Sequence, residues 1–171
     1  AQYYLGLMYY LGKGVAKDEV QAVAWYQKAA EQDYASAQFN LGLMYNLGKG
    51  VAKDEVQAVA WYQKAAEQGI ADAQYNLGVM YANGRGVAKD DQTAVKWYRK
   101  AAEQGQANAQ TSLGVMYALG QIVAKDEVLA YMWFNLALNG ELRDFIAKRM
   151  LPEQIAEAQR LSREWLAKQN K

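Results

Sequence analysis

The stretch LGKGVAKDEVQAVAWYQKAAEQ occurs twice in the sequence, at residues 11–32 and 47–68, without a single difference. Weaker versions begin at Asn83 and Leu119, so the copies follow one another at an interval of 36 residues. A fixed period of this length is typical of repeat proteins, in which each copy is one supersecondary unit stacked on the next. The repeat therefore limits the possible folds more than any other feature of the sequence.

The composition favours helices and removes several classes of partner. The chain is rich in Ala, Gln, Leu, Glu and Lys and contains one proline, Pro152, a combination that favours helix formation. Its 19 Lys and Arg residues nearly cancel its 18 Asp and Glu residues, so we expect no nucleic acid as partner. The sequence has no run of about 18 apolar residues, so we expect no membrane insertion.

Few residues in this sequence could carry out catalysis. Histidine and cysteine are absent, and serine occurs only at Ser36, Ser112 and Ser162. The usual proton shuttles, thiol nucleophiles and zinc ligands are therefore missing. The repeated loop GKGVAKD lacks the GK[ST] ending of a phosphate-binding loop, and helix termination explains its glycines better. We predict a protein that is not an enzyme, with no catalytic residue, no metal and no cofactor.

The pattern of each repeat predicts two helices, A and B. Three of the four Ala-Gln pairs follow a residue that can cap a helix N-terminus: Ser36, Asp72 and Asn108. We expect each helix A to begin after that cap and to end at glycines such as Gly48 and Gly50. Helix B should begin at Asp18 and Asp54, where helix capping and the helix dipole account for the repeated acidic pairs.

Two further positions recur in phase with the repeat. Glycine stands inside every helix A, at Gly6, Gly42, Gly78 and Gly114. Because glycine there costs about 1 kcal/mol relative to alanine, we expect it to allow close approach of a neighbouring backbone or tryptophan ring. A ligand touching the helix backbone is the alternative. Every helix B carries a tryptophan: Trp25, Trp61, Trp97 and Trp133. These residues share the helical phase of apolar alanines, so we predict that they pack in the core and form no aromatic platform.

This repeat resembles the Sel1-like repeat, a relative of the tetratricopeptide repeat. The pattern A-Q-x-x-L-G-x-M-Y-x-x-G-x-G-V-x-K-D, followed by A-x-x-W-Y-x-K-A-A-E-Q-G, extends from residue 1 to about residue 140. Alanine replaces the family's usual loop proline in all four copies, which predicts less rigid loops. The resemblance implies a bacterial-type, right-handed α-solenoid of 36-residue hairpins that acts as a protein-interaction scaffold. It also favours a periplasmic or secreted location.

We therefore predict an all-α protein of four repeats and a C-terminal capping segment. Their ranges are 1–36, 37–72, 73–108, 109–144 (divergent) and 145–171. The last helix should bury Ile155, Ala158, Leu161 and Trp165. We expect Asp144 to cap the helix that follows it, and Pro152 to cut that helix short. The residue that would cap the first helix A precedes Ala1, so we expect a fragment, and its open first repeat makes end-to-end self-association an alternative.

The resemblance also indicates where a partner binds. In related solenoids the A helices line the concave face, which should carry the third, fourth and tenth residues of each helix A. We predict that a protein or peptide partner is bound there by Tyr3, Tyr4, Tyr10, Phe39, Asn40, Asn46, Tyr75 and Asn76. Aromatic rings supply contact area, and amides can hold a peptide backbone. A self-assembling structural rod and a cell-wall-related enzyme remain the alternative functions.

Overall fold

The computed structural model of the protein describes residues 1–169, which form ten helices and no strand. In order along the sequence the helices are α1 (Gln2–Leu11), α2 (Glu19–Ala30), α3 (Ala35–Leu47), α4 (Glu55–Glu67), α5 (Ala71–Asn83), α6 (Asp91–Glu103), α7 (Ala107–Leu119), α8 (Glu127–Leu136), α9 (Gly140–Ala147) and α10 (Pro152–Gln169). The protein divides into two compact units, Ala1–Ala94 and Val95–Lys171. In the first unit each helix from α1 to α4 packs against the next one.

The predicted starts of the A helices are wrong by two residues. Helix α3 begins at Ala35, and its N-cap is Tyr34, whose carbonyl accepts a hydrogen bond from the Gln38 amide at 3.1 Å. The preceding residue, Asp33, has a left-handed backbone with φ of 58°, so the backbone reverses one residue before the helix can start. Ser36 therefore lies in the first turn and caps nothing. Asp72 and Asn108 occupy the same place in α5 and α7.

The predicted ends of the A helices and starts of the B helices are confirmed. Gly12 and Gly48 follow α1 and α3 with φ of 67° at both positions, the left-handed conformation that glycine adopts without strain. The Asp18 carboxylate accepts hydrogen bonds from the Val20 and Gln21 amides, both at 3.0 Å. Asp54 does the same one repeat later. The acidic pairs thus begin helices, as expected.

Tyrosine, and not tryptophan, fills the core beneath the helical hairpins of the first unit. Tyr26 and Tyr62 are 1% and 0% exposed, whereas Trp25 and Trp61 are half-buried. The prediction of core tryptophans is therefore wrong here, and Trp97 is half-buried too, while Trp133 is buried. The reason is the helical phase: Tyr26 stands four residues after one buried alanine and four before another, which places it on the centre of the buried stripe.

The glycines inside the A helices allow these rings to approach. A Cβ atom built on Gly42 would lie 2.7 Å from Cδ1 and 2.9 Å from Cε1 of Tyr62, and one on Gly6 would lie 2.7 Å from Cδ1 of Tyr26. Real Cβ contacts are not that short, so the expected close approach is confirmed at both positions. The approaching group is a tyrosine ring instead of a tryptophan ring.

Glycine also joins successive repeats in the first unit. Gly50 has φ of 66°, and a Cβ atom there would lie 2.1 Å from the carbonyl oxygen of Glu19. Gly86 meets the carbonyl oxygen of Glu55 in the same way, again at 2.1 Å. The second glycine of the G-x-G loop is thus needed for two reasons. It adopts the left-handed turn, and it leaves room for the contact with the start of the preceding helix B.

The second unit closes with two helices that depart from the repeat. Asn139 caps α9, and Asp144 lies inside that helix, so the expected cap at Asp144 is wrong. Pro152 is the first residue of α10 and does not cut a helix short, because proline fits the first helical position, where no N–H is needed. Helix α10 packs against α8. It buries Ala158 and Ser162.

Candidate partner-binding face

All eight residues predicted to bind a partner lie on A helices of the first unit. Helices α1, α3 and α5 carry, in sequence order, Tyr3, Tyr4, Tyr10, Phe39, Asn40, Asn46, Tyr75 and Asn76; we call these residues the A-helix face. Tyr4 is 62% exposed, and the other seven residues are half-buried. The face thus combines side chains that a partner can touch with side chains that also pack against the protein.

The aromatic rings at the third position of helix A have such packing roles. The Tyr3 ring centroid lies 5.9 Å from that of Tyr26 and 5.0 Å from that of Tyr34. The Phe39 ring lies 6.0 Å from Tyr62. Aromatic pairs at these distances stabilise a fold beyond the area that they bury. Substitution of Phe39 would therefore disturb folding as well as any binding.

Beneath the face, the hydroxyl groups of Tyr26 and Tyr62 are buried and have no hydrogen-bond partner. Burial raises the pKa of each to about 12. The amide of Asn40 faces the first hydroxyl and those of Asn76 and Asn46 face the second, and they offset part of the rise in pKa. None of the three amides meets the geometry of a hydrogen bond. Burying an unpaired hydroxyl costs free energy. The amides lie near the two hydroxyl groups but leave them without a hydrogen bond.

A small pocket brings two of the predicted residues together from different repeats. Its volume is about 90 Å³. It is lined by residues of α1, α2 and α3: Leu7, Tyr10, Leu11, Tyr26, Asn40, Leu43 and Met44. We call it the α1–α3 pocket. Four aliphatic or thioether groups make its wall largely apolar, and Asn40 adds an amide.

Two lysines lie close to Tyr10, which lines this pocket. The Lys49 Nζ atom lies 3.5 Å from the Tyr10 hydroxyl oxygen and 5.7 Å from the ring centroid. The Lys17 Nζ atom lies 6.0 Å from the same centroid and forms an ion pair with Glu19 at 3.2 Å. Within residues 1–169, no carboxylate oxygen pairs with Lys49. The rim of the pocket, beyond Tyr10, therefore carries a half-buried lysine that lacks an acidic partner in this part of the protein.

One repeat later the corresponding cation is fully paired. Arg85 occupies the same loop position as Lys49, and its Nε and Nη2 atoms donate to Oε1 of Glu55 at 3.0 and 2.7 Å. The Nη2 atom also donates to Oδ1 of Asn46 at 3.0 Å. The guanidinium of Arg85 and the ammonium of Lys53 lower the Glu55 pKa. Asn46, one of the predicted binding residues, is thus held by a contact between repeats.

A second pocket gathers the first two residues of the A-helix face. It has a volume of about 150 Å³ and is lined by Ala1, Gln2, Tyr3, Tyr4, Ala29, Gln32 and Tyr34. Within it, Gln32 donates from Nε2 to Oε1 of Gln2 at 2.9 Å. The Tyr34 ring is 43% exposed. Tyr3 and Tyr4 therefore lie apart from the pocket that Tyr10 and Asn40 share.

The B helices present a different surface, in which lysine covers each half-buried tryptophan. Lys28 Nζ lies 4.4 Å from the Trp25 ring centroid, and Lys64 Nζ lies 4.5 Å from that of Trp61. Such cation–π pairs account for these tryptophans without a ligand. In the part of the protein that the structure describes, no group of three or more acidic residues is arranged to hold a metal ion. Among the described helices, none has the length and apolar character needed to cross a bilayer.

Several residues of the α1–α3 pocket and its rim were not predicted from the sequence. Leu11, Met44 and Lys49 recur in the pattern as Leu47, Met80 and Arg85, so their repetition gave no sign of a site. The useful signal is where the repeats differ. The tenth residue of helix A is Tyr10 in the first repeat and Asn46 in the second. The loop cation that the following repeat places next to it is Lys49 for Tyr10 and Arg85 for Asn46.

The comparison with protein families identifies the repeat. The family model described as the Sel1 repeat matches residues 1–34, 35–70, 71–106 and 107–140. No curated protein matches this sequence. The matched ranges from residue 35 onward begin at the first residues of α3, α5 and α7.

Solved structures with the same fold include three bacterial proteins. A protective antigen of uropathogenic Escherichia coli with an SLR fold is 41% identical, with a TM-score of 0.87 over 97% of this chain and 37% of its own. A Sel1 repeat protein of Oxalobacter formigenes is 42% identical, with a TM-score of 0.79 over 86% of this chain and 60% of its own. Cysteine-rich protein B of Helicobacter pylori is 27% identical, with a TM-score of 0.54 over 62% of this chain and 86% of its own. The predicted all-α solenoid of helical hairpins is thus confirmed, and the chain spans less than two thirds of the first two relatives.

Proposed function

Because the chain belongs to the Sel1 repeat family, we propose that it is a non-catalytic scaffold that binds a protein or peptide partner on its A-helix face. Sel1 repeat proteins are generally scaffolds for protein–protein interaction and generally have no catalytic role. The fixed residues of each repeat serve folding in this proposal, through the caps, the helix-ending glycines and the buried tyrosines. Binding then depends on the residues that differ between repeats.

This proposal rests on one observation: Tyr10 and Asn40 both line the α1–α3 pocket. The two residues are far apart in the sequence and come from different repeats, yet they line one concave, largely apolar site. Binding sites typically combine an apolar wall with a few polar groups that fix orientation. Tyr10 supplies an amphipathic ring at small entropic cost, and Asn40 can both donate and accept hydrogen bonds to a peptide backbone.

Other members of the A-helix face contribute in different ways. Tyr4, the most exposed of the eight, offers free contact area next to Tyr3. Asn46 has its carbonyl oxygen engaged by Arg85, so it contributes as a fixed part of the surface. Phe39 supports the face from beneath through Tyr62. The binding energy should therefore concentrate on Tyr10, Asn40 and Tyr4, in line with the few dominant residues of typical interfaces.

The test compares two double variants once a partner has been isolated. Tyr10→Ala with Asn40→Ala should weaken binding by about tenfold or more, which corresponds to about 1.4 kcal/mol. The control, Gln27→Ala with Gln63→Ala, alters exposed residues of α2 and α4 and should leave the affinity unchanged. Circular dichroism melting checks that both variants are folded. Equal affinities in folded variants would move the site away from the A-helix face.

The same preparation tests the alternative of a self-assembling rod. Light scattering is measured over a hundredfold range of concentration, without partner. A constant mass is expected for a scaffold that binds another protein. A mass that grows steadily with concentration, and that Tyr3→Ala or Tyr4→Ala reduces, would favour end-to-end assembly instead.

A further inference from the structure

We propose that the α1–α3 pocket recognises an extended peptide segment of the partner that carries an aliphatic residue and, two residues away, an aspartate or glutamate. The aliphatic group enters the pocket, and the carboxylate pairs with Lys49. This inference rests on the proposed function, since it names the chemistry of the partner that the scaffold binds.

The size and wall of the pocket select the aliphatic group. A volume of about 90 Å³ is smaller than the cavity of about 150 Å³ that holds a benzene molecule in an engineered protein. The pocket therefore suits an aliphatic side chain better than an indole ring. Leu7, Leu11, Leu43 and Met44 supply apolar contacts, and a charged group placed among them would lose its hydration without a partner.

The charge at the rim selects the acidic group. Lys49 is half-buried against Tyr10 and has no acidic partner in the described part of the protein. The neighbouring repeat shows the same loop position in an ion pair, because Arg85 binds the Glu55 carboxylate through two nitrogen atoms. The equivalent carboxylate for Lys49 is that of Glu19, which pairs with Lys17 instead. A partner carboxylate on Lys49 would reproduce that ion pair between molecules. A partly desolvated pair of this kind is stronger than one in open solvent.

The spacing of two residues follows from Tyr10, which lines the pocket and whose hydroxyl oxygen lies 3.5 Å from Lys49 Nζ. The aliphatic and the acidic side chain of the peptide should therefore lie about one tyrosine ring apart. In an extended peptide, side chains on one face are about 6–7 Å apart, because each residue advances the backbone by about 3.3 Å. An internal acidic residue two positions from the aliphatic one therefore reaches Lys49.

The experiment is a selection from random seven-residue peptides displayed between two fixed linkers, so that no free terminus is offered. The full-length protein is the target, and Lys49→Glu and Lys13→Glu are selected in parallel. Lys13 occupies the same loop position one repeat earlier, so its variant has the same net charge as Lys49→Glu. The expected result is enrichment of the aliphatic-x-acidic pattern on the parent protein and on Lys13→Glu, and loss of the acidic preference on Lys49→Glu.

A second arm measures affinity with one selected peptide and its acid-to-amide version. The amide peptide should bind the parent about tenfold more weakly and should bind Lys49→Ala as well as the acidic peptide does. Leu11→Asn, which alters an exposed wall residue of the pocket, should weaken both peptides, whereas Leu47→Asn, its equivalent one repeat later, should weaken neither. Leu11 and Leu47 are 47% and 49% exposed, so both variants should fold.

The outcomes separate this inference from the proposed function. Peptides that depend on Tyr10 and Asn40 but show another pattern, or whose acidic preference survives in Lys49→Glu, would overturn the inference and leave the A-helix face as the binding site. Peptides that bind Tyr10→Ala and Asn40→Ala as tightly as they bind the parent protein would overturn the inference and the proposed function. Failure to enrich any peptide above an unrelated helical protein would overturn the inference, and the partner-affinity test would then decide the proposed function alone.

Discussion

Gly42→Ala should destabilise the protein although alanine is the better helix former. Helix propensity alone predicts a gain of about 1 kcal/mol for this change in a helix interior. Against this gain, the new Cβ would lie 2.7 and 2.9 Å from two ring carbons of Tyr62 and 3.3 Å from the carbonyl oxygen of Ala58. The ring is 0% exposed, so it has no free space to enter. Overpacking of a filled core typically costs about 1–3 kcal/mol.

The net loss should therefore be about 1–2 kcal/mol, because the neighbours are a fully buried ring and a backbone carbonyl, which place the overpacking cost in the upper part of its range. Urea unfolding followed by circular dichroism measures it, with Gln57→Ala on an exposed position of α4 as a control that should change stability little. A stability equal to or above that of the parent would refute the close approach of helix α3 and Tyr62, since propensity would then be the whole effect.

Three further substitutions test the core, a contact between repeats and a strained turn. Tyr62→Phe removes a buried hydroxyl that lacks a partner and should raise the free energy of unfolding by about 1 kcal/mol. Because burial raises the Tyr62 pKa to about 12, the parent should also lose stability as the pH rises from about 10 to 12, and Tyr62→Phe should lose less. Glu55→Gln removes a carboxylate whose pKa is lowered by Arg85 and Lys53. The stabilisation from Glu55 is present above its unfolded pKa of 4.5 and is lost as the pH falls through its lower folded pKa, so acid titration should destabilise the parent more than Glu55→Gln. The matched variant Glu19→Gln removes a carboxylate whose ion pair is with Lys17 alone, so at neutral pH it should cost less stability than Glu55→Gln. Leu138 has φ of 56° and is 91% exposed. Because asparagine tolerates the left-handed region better, Leu138→Asn should recover part of the about 1–3 kcal/mol that such a residue costs and raise the melting temperature.

The repeated pattern predicted the fold class and most helix boundaries because the signals are local. An aspartate cap such as Asp54 and a helix-ending glycine such as Gly48 act on the backbone of their own turn, so their effect can be inferred from a few neighbouring residues. The start of α3 could not be inferred in this way. It depends on the left-handed conformation of Asp33, which the sequence pattern does not show. A polar residue a few positions later, such as Ser36, then resembles an N-cap although it lies inside the helix.

The exchange of roles between tryptophan and tyrosine has a similar physical origin. Trp61 and Tyr62 are adjacent, so both lie near the buried side of the same helix. Hydrophobicity alone predicts that the tryptophan is the more deeply buried of the two, which is wrong here. The deciding factor is space: Gly42 leaves room for a flat ring at the position of Tyr62. Trp61 lies at the edge of the core, where Lys64 covers its ring. The sequence shows the glycine but not which ring meets it.

The sequence indicated two of the residues that line the candidate site but not the shape of that site. Tyr10 and Asn40 could be placed on one face because equivalent positions of successive A helices share that face. The α1–α3 pocket depends on how side chains fill the space between helices, which the repeated pattern does not show. The lack of an ion pair at Lys49 is also a tertiary property. The equivalent cation Arg85 pairs with Glu55, whereas Lys49 lies against the Tyr10 hydroxyl and Glu19, the equivalent of Glu55, pairs with Lys17.

The most direct test of the central claim is to map the bound partner on the protein by NMR, which suits a protein of 19.1 kDa. Backbone amide shifts of the labelled protein are recorded during titration with the isolated partner. The account predicts that the largest shifts cluster on α1 and α3, around Tyr10 and Asn40, and that the amides around Trp61 on the B helix α4 stay unchanged. Large shifts confined to the B helices would contradict the claim that the A-helix face is the binding surface.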